Sequence, residues 1–351
     1  MARTNLHLKL EALVEDYAPI IRNAFLLAIA DISDSVILRD LIKAIDDGDP
    51  TRAFLLMGID DASLRPITEA IETAFSAGGV ITAEAFPKRI RTVDGARFRF
   101  NMRAPRAEKW LREESASKLV KGMQDQAQTL VQDVLARGVK DGRNPRSIAL
   151  DLVGRIDRTT GRREGGAIGL TPRQETWVAQ VRADLENLDK NYFTRTLRNE
   201  QFDKIVQRAI DANKPLSTDD VEKLVGQYRN NALRYRGEVV GRSEAIESLN
   251  RGQYESLRQG VDTGAIKQSA VKRVWDSAGN DGRTRDSHLA MEKQTELAPV
   301  GLDEPFVFPS GANLMFPGDR ITSTGDAKAI AKETIQCRCR VRIDIDWFAG
   351  L

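Results

Sequence analysis

Three segments decide how this chain is interpreted: WDSAGNDGRTRDSHLAMEKQT at residues 275–295, EPFVFPSGANLMFPGD at 304–319 and ETIQCRCRV at 333–341. The first two are rich in glycine, proline, asparagine and aspartate, which favour turns over long regular elements. Together, the three segments contain both cysteines of the chain, Cys337 and Cys339, and one of its two histidines, His288. Chemically capable side chains are therefore concentrated in a loop-rich region.

The preceding chain has a different pattern, because its apolar residues recur at helical spacing. In the final part, short apolar runs predict strands at residues 271–275, 306–308 and 339–345. The predicted fold class is therefore mainly α: an elongated helical stem with a small C-terminal α+β module. A short β-hairpin is also predicted near residues 91–103, where Asp94-Gly95 is a tight-turn signal.

These patterns divide the chain into an N-terminal helical domain (1–90), a β-hairpin linker (91–104), a helical stem (105–262) and the α+β module (263–351). Asn144, Thr171 and Ser217 each predict a helix N-terminus, because a side-chain oxygen at that position can accept from a free backbone N–H. Gly78-Gly79 is predicted to end a helix. A separate long helix is predicted over residues 236–259, after the one that Ser217 caps.

Composition limits the possible functions. The 351 residues are 41% hydrophobic and 30% charged, as expected of a folded protein outside a membrane. The net charge of +2, from 53 basic and 51 acidic residues, predicts weak or no direct DNA binding. No apolar run reaches membrane-spanning length, and charges interrupt the first apolar stretch, unlike a signal peptide. We therefore expect synthesis in a reducing cytoplasm and no membrane association.

The cysteines and His288 supply three of the four ligands of a tetrahedral zinc site, and Asp281 or Asp286 is a candidate for the fourth. A module with long loops and a thin core is where a metal would add most stability. The alternative is simple packing, because Cys-x-Cys in a strand places both thiols on the same face. The sequence leaves both interpretations open.

Two further stretches have a chemical and a structural interpretation. The residue types from Asp281 to His288 are suited to acid–base chemistry, but a turn followed by a capped helix accounts for them, and no nucleophile accompanies them. We therefore expect no catalytic site.

Arg242-Ser243-Glu244 either docks the stem onto the module or forms a solvated face. The basic stretch at 137–163 is interleaved with aspartates and lacks aromatic residues for base stacking, which favours a solvated surface.

The last part of the chain contains a series of short motifs. In order, they are Gly241-Arg242-Ser243-Glu244-Ala245 with Asn250-Arg251-Gly252-Gln253, Trp275-Asp276, Asp281-Gly282-Arg283-Thr284-Arg285 with His288, Glu304-Pro305-Phe306, Pro317-Gly318-Asp319 and Cys337-Arg338-Cys339. Together they resemble the phage Mu protein F-like family of head morphogenesis proteins. The resemblance begins near Pro105, and residues 1–104 contribute little to it. Two positions depart from the family pattern: Ser243 stands where threonine is usual, and Gln336 where asparagine commonly precedes the Cys-Arg-Cys motif.

The resemblance implies a minor virion protein that acts by binding in head morphogenesis and in genome packaging or delivery. Its implied partner is the portal protein, with the major capsid or scaffold protein as further possibilities. The implied location is the capsid interior near the portal vertex, after assembly in the host cytoplasm. The alternative is a metal-dependent enzyme or transferase-like module ejected with the DNA. The resemblance gives no role to the motif residues Arg242, Glu244, Trp275, Asp281, Arg283 and Arg285.

Overall fold

The computed structural model describes residues 5–277, 279 and 281–348. Its helices are α1 (Asn5–Ser35), α2 (Leu38–Asp46), α3 (Pro50–Leu55), α4 (Arg65–Glu84), α5 (Pro105–Lys109), α6 (Ser117–Lys140), α7 (Pro145–Val153), α8 (Pro172–Glu186), α9 (Asp203–Asp211), α10 (Thr218–Asp262), α11 (Asp286–Leu297) and α12 (Ala327–Thr334). A π-helical segment, Trp110–Ala116, joins α5 to α6, and short 3-10 turns lie at Lys190–Thr194, Glu200–Phe202 and Gln268–Ala270.

The strands are β1 (Arg155–Ile156), β2 (Arg163–Glu164), β3 (Val271–Asp276), β4 (Val300–Gly301), β5 (Phe306–Val307), β6 (Asn313–Leu314) and β7 (Arg340–Ile345). They form small antiparallel sheets in the orders β1-β2, β4-β3-β7 and β5-β6. The predicted fold class, mainly helical with small C-terminal sheets, is confirmed. Among the described residues, no helix has the length and apolar character needed to cross a membrane.

The predicted helix starts are present, and their caps have the expected chemistry. Asn144 accepts from the Ser147 N–H at 2.8 Å, which begins α7. Thr171 and Gln174 form a reciprocal capping box at the start of α8. Ser217 accepts from the Asp220 N–H at 3.1 Å at the start of α10. These boundaries are confirmed because each depends on a local hydrogen bond.

Two predicted helix boundaries are wrong. Helix α4 continues through Gly78-Gly79 to Glu84, and α10 is one helix where two were predicted. The glycines of α4 serve packing: a Cβ on Gly78 would lie 2.2 Å from the carbonyl oxygen of Leu249, and one on Gly79 would lie 2.3 Å from the Phe100 ring. Tertiary contact thus compensates for the low helix propensity of glycine.

The predicted hairpin is reduced to a tight turn. A single antiparallel bridge joins Arg91 and Arg97, and the Thr92 N–H donates to the Ala96 carbonyl at 2.9 Å. Gly95 has φ +83°, as the turn signal requires. Residues 98–101, which follow and are all described, form no strand. The Asp-Gly signal therefore predicted the turn correctly but not a two-stranded element.

Contacts group the chain into two compact units. Unit 1 comprises the chain up to Ala24, Ile67–Ser117 and the chain from Glu238 onward, and unit 2 comprises Phe25–Pro66 and Lys118–Gly237. Both units are assembled from separated stretches of sequence. The four continuous domain segments predicted from the sequence remain a prediction.

Unit 2 contains a buried network of ion pairs. Arg229 donates to Asp151 at 2.9 Å and to Glu175 at 2.8 Å, and all three side chains are almost inaccessible to solvent. Arg143 and Arg182 also pair with Asp151, and both pair with Glu222, which adds another carboxylate to the network. Burial alone would raise the pKa of Asp151, but the surrounding guanidinium groups outweigh it and hold that pKa well below its usual range.

The C-terminal part of unit 1 is built on β3, the central strand of its sheet. Trp275 of β3 lies opposite Val341 of β7, and helix α11 packs on the same strand. Arg273 is buried and donates to the carbonyls of Gly301, Met315 and Glu304, so one side chain joins the end of β4 to two loop residues. The core here contains Trp275, Met291, Phe306, Phe308, Ala312, Leu314, Phe316, Cys337, Cys339 and Val341.

The second half of α10 is the helix on which unit 1 is assembled. A Cβ on Gly252 would lie 2.1 Å from the carbonyl oxygen of Phe75 in α4. A Cβ on Gly241 would lie 2.4 Å from the carbonyl oxygen of Ala18 in α1. At both crossings the backbones touch, so no larger residue fits without displacing a helix.

We predict that Gly252→Ala lowers the free energy of unfolding by about 2 kcal/mol, because the added methyl group collides with backbone that a rotamer change cannot move. Gly122→Ala is the matched control, since Gly122 also lies in a helix but has no described neighbour within 4 Å of the point where the methyl group would lie. That change should raise the stability by roughly 0.5–1 kcal/mol. Thermal and urea unfolding measure both, and equal effects of the two substitutions would contradict the proposed crossing.

Candidate metal centre

The side chains of His288, Cys337 and Cys339 meet in the core of the C-terminal module. His288 lies in the first turn of α11, and Cys337 and Cys339 directly precede β7. The Nδ1 atom of His288 is 3.1 Å from the Cys339 Sγ and 3.8 Å from the Cys337 Sγ. The three ligand atoms all lie within 4.8 Å of one another. The structure therefore brings together the three residues selected from the sequence, in a cluster that could hold a metal ion.

The walls of this cluster are aromatic. The ring of Trp275 meets the His288 imidazole edge-on with centroids 5.2 Å apart, and the Phe308 ring lies 5.5 Å from it. Both cysteines and His288 are at most 2% exposed. A metal in this position would be shielded from water, which is typical of a structural site.

A buried carboxylate fixes the orientation of the imidazole. The Nε2 atom of His288 lies 3.1 Å from Glu333 Oε2, and the Ser287 hydroxyl donates to the same oxygen at 2.8 Å. The Nε2 atom of His288 therefore faces a carboxylate, and its Nδ1 atom faces the two sulfur atoms. This carboxylate–histidine arrangement is the usual outer support of a metal-bound imidazole. The sequence analysis did not identify Glu333, although it lies in the quoted segment 333–341.

The two thiols are electrostatically unequal. Burial raises the pKa of Cys337, but hydrogen bonds from the Cys339 side chain and backbone N–H outweigh it and place that pKa below its ordinary value. The hydrogen bond with Cys337 and burial raise the pKa of Cys339 well above its ordinary value. Cys337 is therefore the more readily ionised of the two thiols, and a divalent cation would displace the thiol protons on binding.

The predicted fourth ligands are wrong. The carboxylate of Asp281 accepts from both terminal nitrogens of Arg338, at 2.6 and 2.7 Å, and Asp286 is exposed in the first turn of α11. Neither aspartate belongs to the cluster. Among the described residues, the cluster has three His, Cys, Asp or Glu ligands. Asn280, part of the predicted turn at this loop, lies outside the described residues.

The motif segment of α10 docks onto the module, as one of the two interpretations of Arg242-Ser243-Glu244 predicted. Ser243 and Glu244 are buried: the Ser243 hydroxyl accepts from the Gln336 N–H at 3.2 Å, and Glu244 pairs with Arg320 at 2.8 Å. Glu247, one turn further on, also accepts from Arg320. Burial raises the pKa of Glu247 to about 7, although Arg320 opposes that shift.

The other motif residues fall into two groups. Trp275 is fully buried in the core, and Arg285 donates to the Ile335 carbonyl at 2.6 Å, just before the cysteines. Arg242 and Arg283 form only long ion pairs among the described residues, with Glu15 at 3.9 Å and with Asp281 at 4.0 Å. The motif series is thus mostly structural, with these two arginines as exceptions.

No protein-family model matches the chain, and comparisons with curated proteins and with solved structures find no significant match. The resemblance to the Mu F-like family therefore depends on the motif series quoted above.

The residue before the cysteines, Gln336, has a strained backbone. Gln336 has φ +53°, in the left-handed region. Asparagine adopts this region more readily than glutamine, because its short side chain bonds locally to the backbone. The backbone of this chain therefore favours asparagine over glutamine at position 336.

We predict that Gln336→Asn raises the free energy of unfolding by about 0.5 kcal/mol, and that Gln336→Val lowers it by about 1 kcal/mol, because a β-branched residue is poorest at positive φ. The matched control is Gln128→Asn on an exposed position of α6. There the same substitution should lower stability by a few tenths of a kcal/mol, since asparagine is the poorer helix former. Urea unfolding measures the sign at each position, and the same sign at both would contradict the conformational explanation.

Proposed function

We propose that this protein is a minor head protein of a bacteriophage that binds the portal protein and acts in head morphogenesis and in genome packaging or delivery. The observation that carries the proposal is the ordered motif series from Gly241 to Cys339. Its segments lie far apart in sequence, yet they meet in unit 1 through the contacts of α10 with residues 317–320 and 336. The major capsid or scaffold protein is a second candidate partner.

The charge distribution supports binding to protein more than to DNA. In the basic stretch 137–163, Arg143, Arg155 and Arg162 pair with carboxylates at the distances of direct ion pairs. Guanidinium groups that are already neutralised contribute little to the release of counterions from DNA. We therefore propose weak or no direct DNA binding. From the family resemblance we also propose a location inside the capsid near the portal vertex, after assembly in the host cytoplasm, and no membrane partner.

The prediction is that the chain is present in purified virions and procapsids, in far fewer copies than the major capsid protein, and that tagged portal protein retains it from infected cells. Quantitative mass spectrometry measures both, with the tag alone as the control bait. Absence from virions and from procapsids would remove the proposal. Retention by the major capsid protein and not by the portal would change the partner.

We further propose that the cluster of His288, Cys337 and Cys339 binds zinc in a structural role. Two sulfur atoms and an imidazole nitrogen are the donors that zinc prefers in proteins, and Glu333 orients the imidazole for that task. The aromatic walls formed by Trp275 and Phe308 favour a structural site over one open to a substrate. The alternative, a metal-dependent enzyme or transferase-like module, requires an accessible coordination position.

The prediction is that protein purified without chelators contains stoichiometric zinc, and that Glu333→Gln weakens zinc affinity by about 10- to 100-fold, because a neutral amide oxygen supports the imidazole more weakly than a carboxylate does. The control is Glu296→Gln. Glu296 lies in α11, is partly exposed and pairs with Arg342, so this change should leave the zinc affinity unchanged. Elemental analysis and competition with a chromogenic chelator measure these effects, and zinc removal should lower the melting temperature. Metal-free protein with no response to added zinc would leave packing as the role of the cysteines.

A further inference from the structure

A polar cleft of about 670 Å³ lies in unit 1, next to the buried cluster. Helices α1 and α10, the loop before α11 and the Cys-Arg-Cys segment all contribute to its lining. The lining includes five guanidinium groups, those of Arg22, Arg242, Arg283, Arg338 and Arg340. The Cys-Arg-Cys segment therefore places its cysteines in the core and its arginine in the lining of this cleft.

Two of these arginines are already neutralised. Arg338 pairs with Asp281 at 2.6 Å, and Arg340 pairs with Glu11 at 2.7 Å. These ion pairs within the fold account for the presence of Arg338 and Arg340 in the lining of the cleft.

The other three arginines are poorly matched by the protein. Arg22 donates to the amide oxygen of its neighbour Asn23 at 3.2 Å, a neutral acceptor that does not balance its charge. Arg242 and Arg283 lie 3.9 and 4.0 Å from the nearest carboxylate oxygens of the described residues, beyond hydrogen-bond distance. Their side chains are 35% and 82% exposed. The fold thus leaves donor groups of these arginines available to a ligand.

The walls of the cleft are held in place. The contact of Gly241 with the Ala18 carbonyl fixes α1 against α10 beside the cleft. The Gln336 N–H is held by Ser243, which ties the Cys-Arg-Cys segment to the same helix. A rigid arrangement of donors loses little conformational entropy when a ligand binds.

We propose that this cleft binds the carboxylates of an acidic segment of a partner protein. The planar guanidinium fork matches a carboxylate in two parallel hydrogen bonds. Glu15 and Glu238 also line the cleft, so its positive charge is confined to the arginines. None of the described residues that line the cleft is aromatic, so it offers no surface for base stacking. This inference rests on the proposed binding function and adds the chemistry of the partner.

The test is binding of a fluorescein-labelled hexaglutamate peptide to the full chain, measured by fluorescence anisotropy at low and at moderate ionic strength. The double variant Arg242→Gln with Arg283→Gln should weaken binding by at least about tenfold, because each substitution removes charge-assisted hydrogen bonds. The matched control is Arg39→Gln with Lys43→Gln, which removes the same charge from side chains that are 87% and 64% exposed. It should change affinity by less than about twofold. Arg283→Gln alone, at a highly exposed position, should give an intermediate loss and guards against a folding defect in the double variant.

Three outcomes would overturn the proposal: no binding of hexaglutamate by the unaltered protein, losses within about threefold of each other in the two double variants, or tighter binding of a DNA duplex of equal charge that depends on the same arginines. The last result would assign the cleft to nucleic acid. The outcome is independent of the virion experiment. If the chain binds the peptide but is missing from particles, only the head-protein proposal is removed. If the chain is present in virions but does not bind the peptide, only the cleft proposal is removed.

Discussion

The close approach of backbones along the second half of α10 is the constraint on which unit 1 depends. Gly241 and Gly252 allow α1 and α4 to reach the α10 backbone. The same half of α10 presents Ser243 and Glu244 to the C-terminal module, where both are buried in hydrogen bonds. Glycines that would weaken an isolated helix therefore permit the packing that stabilises this one.

The C-terminal module illustrates how a region with short strands can be fixed by polar contacts. Arg273 joins three backbone carbonyls, and burial lowers the pKa of its guanidinium to about 10 while leaving it protonated at neutral pH. Arg320 performs a similar task for Glu244 and Glu247. Such side chains have no apolar substitute, because removing one would leave several buried carbonyls or carboxylates unpaired. The proposed zinc would add a further link between α11 and β7 in the same core.

Much of the candidate site could be predicted from the sequence, because rare residue types are themselves a signal. His288, Cys337 and Cys339 were selected for their chemistry, and the structure groups them. Glu333 and Arg320 could not be found in the same way, since carboxylates and guanidinium groups are common and most of them are solvated. Asp281 was selected for metal binding but pairs with Arg338, a choice that depends on loop geometry and not on residue type.

By itself, the sequence determined the helical class, the capped helix starts at Asn144, Thr171 and Ser217, and the set of possible metal ligands. These features depend on periodicity, local hydrogen bonds and side-chain chemistry, all of which lie within a few residues of one another. Only the tertiary structure decided that α4 continues through Gly78-Gly79, because a distant helix occupies the space that a side chain would need. It also decided which arginines remain poorly matched by carboxylates, since ion pairing depends on residues far apart in the chain.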